Sequence, residues 1–192
     1  MSESTSLSLL ESARREPTGG AWTRLDSIYR PWLLRLLRGQ GIPSHDAEDV
    51  CQDTLMRLAR RLSSFVHNGF PGAFRNYLKK ILASCLSEHK AKRARNREVN
   101  QELARELSDP KSDLSRKFDA EYDQHVVRGL LDYVAQEFQP QTVDAFRGVV
   151  LEGKKPAEVA AELSMTAGAV RTAQSRVLAA LRKAGAGLVD IA

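Results

Sequence analysis

Between Lys155 and Lys183, KPAEVAAELSMTAGAVRTAQSRVLAALRK, the apolar residues fall at two runs of helical spacing parted by a short break, which few folds accommodate. Val159, Ala160 and Leu163 give the first helix a buried face, and Ala160 is small where two helices would cross. Met165 is placed to plug the turn. Val170, Ala173, Val177 and Leu181 then recur at i, i+3, i+7 and i+11 and pin the second helix along one side. The spacing predicts a helix-turn-helix, the unit whose second helix lies in the major groove of DNA. Ala167, Gly168, Arg171, Thr172 and Ser175 are left for the reading surface. Pro156 suits the first turn of the first helix, and the Thr166 hydroxyl suits the cap of the second. The turn position that ordinarily requires Gly, for its positive φ, is Ser164, at a cost of about 1 kcal/mol. An ordinary helical hairpin is the alternative, but basic residues fill the exposed face and no acid occurs between Ala167 and Lys183.

Charge points the same way. The 29 basic and 24 acidic residues leave a net +5, which favours a polyanionic partner. From Phe74 to Arg97 the bases are Arg75, Lys79, Lys80, Lys90, Lys92, Arg93, Arg95 and Arg97 against the single acid Glu88. From Glu98 to Asp123 acids outnumber bases by eight to four. Two basic tracts around an acidic spacer suggest two nucleic-acid contacts on one flexible chain, with Asp109-Pro110 the expected flexible point.

The rest of the chain reads as helix. Leu7 to Arg15 is a short first helix. Trp22, Leu25, Tyr29, Trp32, Leu33 and Leu36 make a stripe from about Ala21 to Arg38, with Pro31 a kink and Gly39 and Gly41 its stop. Ser44 is the expected cap of a helix from His45 to about Leu62, whose apolar side is Ala47, Val50, Cys51, Leu55, Leu58 and Leu62. Its polar side grades from Asp46, Glu48, Asp49 and Asp53 to Arg57, Arg60 and Arg61, as the helix dipole favours. The loop from Ser63 to Ala73, SSFVHNGFPGA, holds Phe65, Val66 and Phe70 next to a basic helix, where apolar rings either plug a core or stack on an unpaired base. That basic helix carries Phe74, Tyr77, Leu78, Ile81, Leu82, Cys85, Leu86 and His89 on one side and Arg75, Lys79, Lys80, Ser84, Ser87 and Lys90 on the other. Further helices are expected from near Phe118 to Phe138, and from about Thr142 to Leu151.

No strand-like alternation, glycine-rich phosphate loop or repeat occurs, so the expected fold is all-α. No apolar run approaches the roughly 18 residues of a membrane span. The N-terminus, MSESTSLSLLESARRE, lacks the pattern of a signal peptide, so a cytoplasmic place is expected. Cys51 and Cys85 fall on apolar faces and read as small buried residues. Cys85 and His89 share a face, but two ligands make no zinc site, which takes four, and no metal or other cofactor is expected.

In this order the pieces resemble a known family. DAEDVCQDTLMRLARRLSSF followed by FRNYLKKILASCLSEHKAKR is similar to region 2 of bacterial sigma-70-type RNA polymerase sigma factors of the extracytoplasmic-function group. DAFRGVVLEGKKPAEVAAELSMTAGAVRTAQSRVLAALRK resembles their region 4. The likeness runs from about Leu9 to Lys183. It implies two small helical domains, residues 1–97 and 118–192, joined by an acidic linker over residues 98–117. Three positions depart from the family pattern. Tyr77 stands for the usual Trp, Ser84 for a common Asn, and Glu88 with His89 for an acid and an aromatic.

The resemblance also implies roles. Asp46, Glu48, Asp49, Gln52, Asp53 and Arg57 would dock on the clamp helices of the polymerase β′ subunit, and region 4 on the β flap. Phe65, His67, Asn68, Phe70, Arg75, Lys79, Lys80, Ser84 and Lys90 would take the minus-ten element, with a non-template base flipped into the loop. Such extrusion costs a few kcal/mol per base, offset by stacking and charge. Thr166, Ala167, Gly168, Arg171, Thr172, Ser175 and Arg176 would face the minus-thirty-five element. Nothing in the chain would be catalytic, since the polymerase does the chemistry, and control is left to an anti-sigma protein, a kinase or expression level. The rival reading is a helix-turn-helix regulator binding duplex DNA as a dimer, which needs a dimerising face and an effector pocket. A recombinase ranks last, because it needs strands and a nucleophile among arginines.

Overall fold

The computed structural model describes residues 8–16, 19–67, 70–89 and 94–191, and among these every regular element is helical. The elements are α1 (Leu9–Arg15), α2 (Gly20–Gly39), α3 (Ser44–Arg61), α4 (Ala73–Glu88), α5 (Ala94–Ser108), α6 (Asp113–Val134), α7 (Pro140–Phe146), α8 (Pro156–Glu162) and α9 (Ala167–Gly185). The all-α class expected from the spacing is therefore what the chain adopts. Ser8 caps α1 by accepting from the Glu11 amide at 3.2 Å. Ser44 does not cap α3 as expected. Pro43, with φ near −55°, holds the cap position and its carbonyl accepts from the Ala47 amide at 2.8 Å, so Ser44 is already inside the helix.

The acidic segment differs most from expectation. It forms α5 and the start of α6 instead of an open spacer. Leu103, Ala104 and Leu107 are buried, with Val99 packed beside them, a stripe at helical spacing that the count of acids obscures. Asp109-Pro110 forms a tight turn. The Lys111 amide donates to Asp109 Oδ1 at 2.9 Å, and Ser112, which caps α6, donates its hydroxyl to the Glu106 carbonyl at 2.6 Å.

One large apolar core runs from α1 through α4 and α5 to α6 and the end of α9. At its middle Trp32 is fully buried, with Phe118 and Tyr122 of α6 at ring distances of 4.8 and 5.7 Å. The Tyr122 hydroxyl donates to the Leu188 carbonyl at 3.1 Å, so the Tyr29 hydroxyl, 2.8 Å away, must be the donor of the buried pair. Burial pushes both phenols above their ordinary range. α2 and α6 approach closely because Gly129 has no side chain: a Cβ there would stand 2.8 Å from Ile28.

A smaller core joins Ala145, Val159, Ala160, Val170 and Ala173, with Leu163 and Met165 packed against it. Here the sequence expectations hold closely. Pro156 opens α8, Thr166 Oγ1 accepts from the Ala169 amide at 3.1 Å, and Ser164 adopts φ of 53° in the turn between α8 and α9. Among the described residues Ser164 is the one non-glycine with positive φ, a strained position stabilised by the Met165 and Leu163 packing around it. The helix expected over residues 142–151 begins at Pro140 and loosens into a π turn from Arg147 to Leu151.

Candidate functional site

α3 offers the first surface. Glu48, Asp49 and Gln52 are exposed, and Asp53 is half exposed. Asp46 is not part of this face, contrary to the grading expected along the helix. It is 3% exposed, and its Oδ1 lies 3.1 Å from His45 Nε2 and 3.3 Å from His89 Nε2 while Oδ2 accepts from Asn96 at 3.1 Å. Arg57 is committed within the chain as well. Its guanidinium bonds Asp53 and Glu88, each at 2.8 Å, and so ties α3 to the end of α4. Arg57 first, then the Ser84 hydroxyl at 2.6 Å, holds the Glu88 carboxyl down at about 2.

The loop before α4 forms an open cleft of about 350 Å³, walled by Phe65, Val66, Phe70, Asn76, Tyr77 and Lys80. Phe65 is also a plug: it is 6% exposed, edge-on to Phe74 and 4.9 Å from Tyr77. Phe70 and Val66 stand out at 70% and 78% exposure. His67 is exposed and edge-on to Phe65 at 6.3 Å. Both Asn68 and Lys90 lie outside the described residues. Gly72 caps α4 next to the cleft; its φ of 73° reverses the chain and its amide donates to Asp190 at 2.9 Å.

The far face of α4 is not uniformly open. Lys80 is exposed, but Lys79 is 7% exposed and inserted between α4 and α6, where its ammonium donates to Asp119 at 2.8 Å and Ser115 at 2.9 Å, over the Phe118 ring. Arg75 donates to both oxygens of Asp123, at 3.0 and 2.9 Å. Its Nε stands 3.2 Å from Asp119, an ion-pair distance without hydrogen-bond alignment. Two of the four bases expected at the minus-ten element, Arg75 and Lys79, are thus held by acids of α6. Sequence reasoning missed Asp119 and Asp123 because they read as part of a solvated acidic run; their spacing of four, one helical turn, was the available signal.

On α9, Gly168, Arg171, Thr172 and Ser175 are exposed along one side, with Ala167 partly covered by the small core. Thr172 returns its hydroxyl to the Gly168 carbonyl at 3.1 Å. Arg176 lies over the Phe138 ring at 5.6 Å. No helix among the described residues is long and apolar enough to cross a membrane.

The surfaces of α2, α3 and α4 coincide with a known domain. Residues 25–96 match the Sigma-70 region 2 family. No curated protein and no solved structure matches the chain. The aromatic cleft and the α3 face both fall inside the matched segment, so it is this part of the chain that is similar to region 2 of the sigma-70-type sigma factors.

Proposed function

We propose that the chain is a sigma factor of the extracytoplasmic-function group, directing core RNA polymerase to particular promoters from the cytoplasm. The cleft beside Lys80 carries this reading: apolar rings next to a cation suit an extruded base and its phosphate. Phe70→Ala tests it. Because Phe70 is largely exposed, the variant is expected to fold and bind core enzyme normally. Permanganate footprinting of unpaired thymines should nevertheless show slower opening and altered preference for downstream bases. An unchanged footprint sinks the role of the cleft.

The exposed acids of α3 are the docking face for the β′ clamp helices. Asp49→Lys with Asp53→Lys is expected to preserve the helix, since Glu88 still holds Arg57, and to weaken core binding at least tenfold, about 1.4 kcal/mol. A pull-down titration measures it, and unchanged affinity returns the face to plain solvation.

α8 and α9 serve as a helix-turn-helix at the minus-thirty-five element, while the surrounding C-terminal helices meet the β flap. Arg171→Ala should cost about 1–3 kcal/mol on the preferred upstream duplex and flatten discrimination there. Equal losses on every duplex in a binding assay would reduce Arg171 to a phosphate contact.

A further inference from the structure

The start of α3 meets the end of α4 at a group of four side chains, of which only Asp49 also lies on the proposed docking face. Asp46 is buried, and the Nε2 atoms of His45 and His89 both aim at the same carboxylate oxygen, at 3.1 and 3.3 Å. Asp49, one turn along α3, joins Asp46 and His89, one ligand atom of each lying within 4.8 Å of the others, and the exposed His45 stands beside this trio through Asp46 as the fourth candidate ligand. We propose that His45, Asp46, Asp49 and His89 form a binding site for a divalent transition metal of the zinc class.

The geometry favours this over a plain hydrogen-bonded cluster. Two imidazole nitrogens converge on one carboxylate oxygen, an arrangement that a shared cation satisfies more fully than two competing hydrogen bonds do. Nitrogen and oxygen ligands about 2.0–2.1 Å from a tetrahedral zinc stand roughly 3.3 Å apart, close to the two histidine–Asp46 separations, and the exposed Asp49 and His45 side chains can close in to complete the shell. Two imidazoles with two carboxylates suit zinc, cobalt or nickel; calcium and magnesium prefer oxygen alone. Two carboxylates also balance the charge of a divalent ion, which relieves the cost of the buried Asp46 anion. Asn96 supplies the outer support, since its amide fixes the Asp46 oxygen that does not face the histidines. The ion would clamp α3 to α4 at the end opposite the aromatic cleft.

The test uses the full chain, stripped with chelator and titrated with cobalt(II) in the absence of polymerase and DNA. The expected result is one equivalent bound, with the visible absorption of a four-coordinate site, displaced by zinc. His45→Ala is the clean variant, because that side chain is 62% exposed and its loss leaves the core intact. It and His89→Ala should each weaken binding by about tenfold or more, and zinc should raise the thermal midpoint of the wild type but not of His45→Ala. Absence of the cobalt spectrum, or equal binding by wild type and both variants, overturns the site. So do thiolate-to-cobalt bands that vanish on Cys85→Ser, since they would place the ion on the cysteine one turn before His89.

Discussion

Trp32→Ala is expected to lower the unfolding free energy by about 3–5 kcal/mol, read as a shift of the urea midpoint by far-ultraviolet circular dichroism. Trp32 is fully buried between α2 and α6, and its ring meets Phe118, Tyr122 and His125, so truncation opens a cavity that helices fixed at Gly129 and Ile28 cannot close. Trp32→Phe provides the control. The indole Nε1 has no hydrogen-bond partner among the described residues, so the smaller ring loses volume but no polar contact and should cost less than about 1.5 kcal/mol. A loss below about 1 kcal/mol for the alanine variant would mean that α2 and α6 do not share a core in solution. Such a result would also separate the region 2 domain from the C-terminal helices.

Asp119→Ala carries the second large effect. It strips the Lys79 ammonium of its anion in a site where only 9% of that side chain is exposed, and removal of one partner of a buried pair costs about 3–5 kcal/mol. The same variant loosens α6 from α4 and releases Lys79, while Asp123 still holds Arg75, so affinity for single-stranded DNA should rise on the order of tenfold and fall steeply with salt. Lys79→Met with Asp119→Leu distinguishes the two consequences. An apolar pair of similar size should restore stability without the gain in DNA binding. If Asp119→Ala changes neither stability nor affinity, Asp119 does not hold Lys79.

The sequence carried its local features well and its charges poorly. Val159, Val170, Val177 and Leu181 were legible because helical spacing alone decides which side of α8 and α9 turns inward. Ser164 was legible because the turn demands a left-handed residue whatever its identity. The stripe of Leu103, Ala104 and Leu107 was equally present, yet the acids between them suggested a spacer, because composition was weighed above spacing.

By itself, then, the sequence determined the apolar side of most helices and some of their ends, since these follow from rotation per residue, capping hydroxyls and prolines within a few positions. It did not give α5, the Pro43 cap of α3 or the start of α6. Only the tertiary structure decided which polar residues face solvent. Asp46 and Asp53 stand on one helix at similar spacing, but Asp46 is buried because His89 and Asn96, more than 40 residues later, arrive to satisfy it. Lys79 and Lys80 are adjacent, but α6 brings Asp119 to Lys79 and leaves Lys80 beside the aromatic cleft. A buried charge is stable only with a partner, and partners distant in the chain meet only when the helices pack.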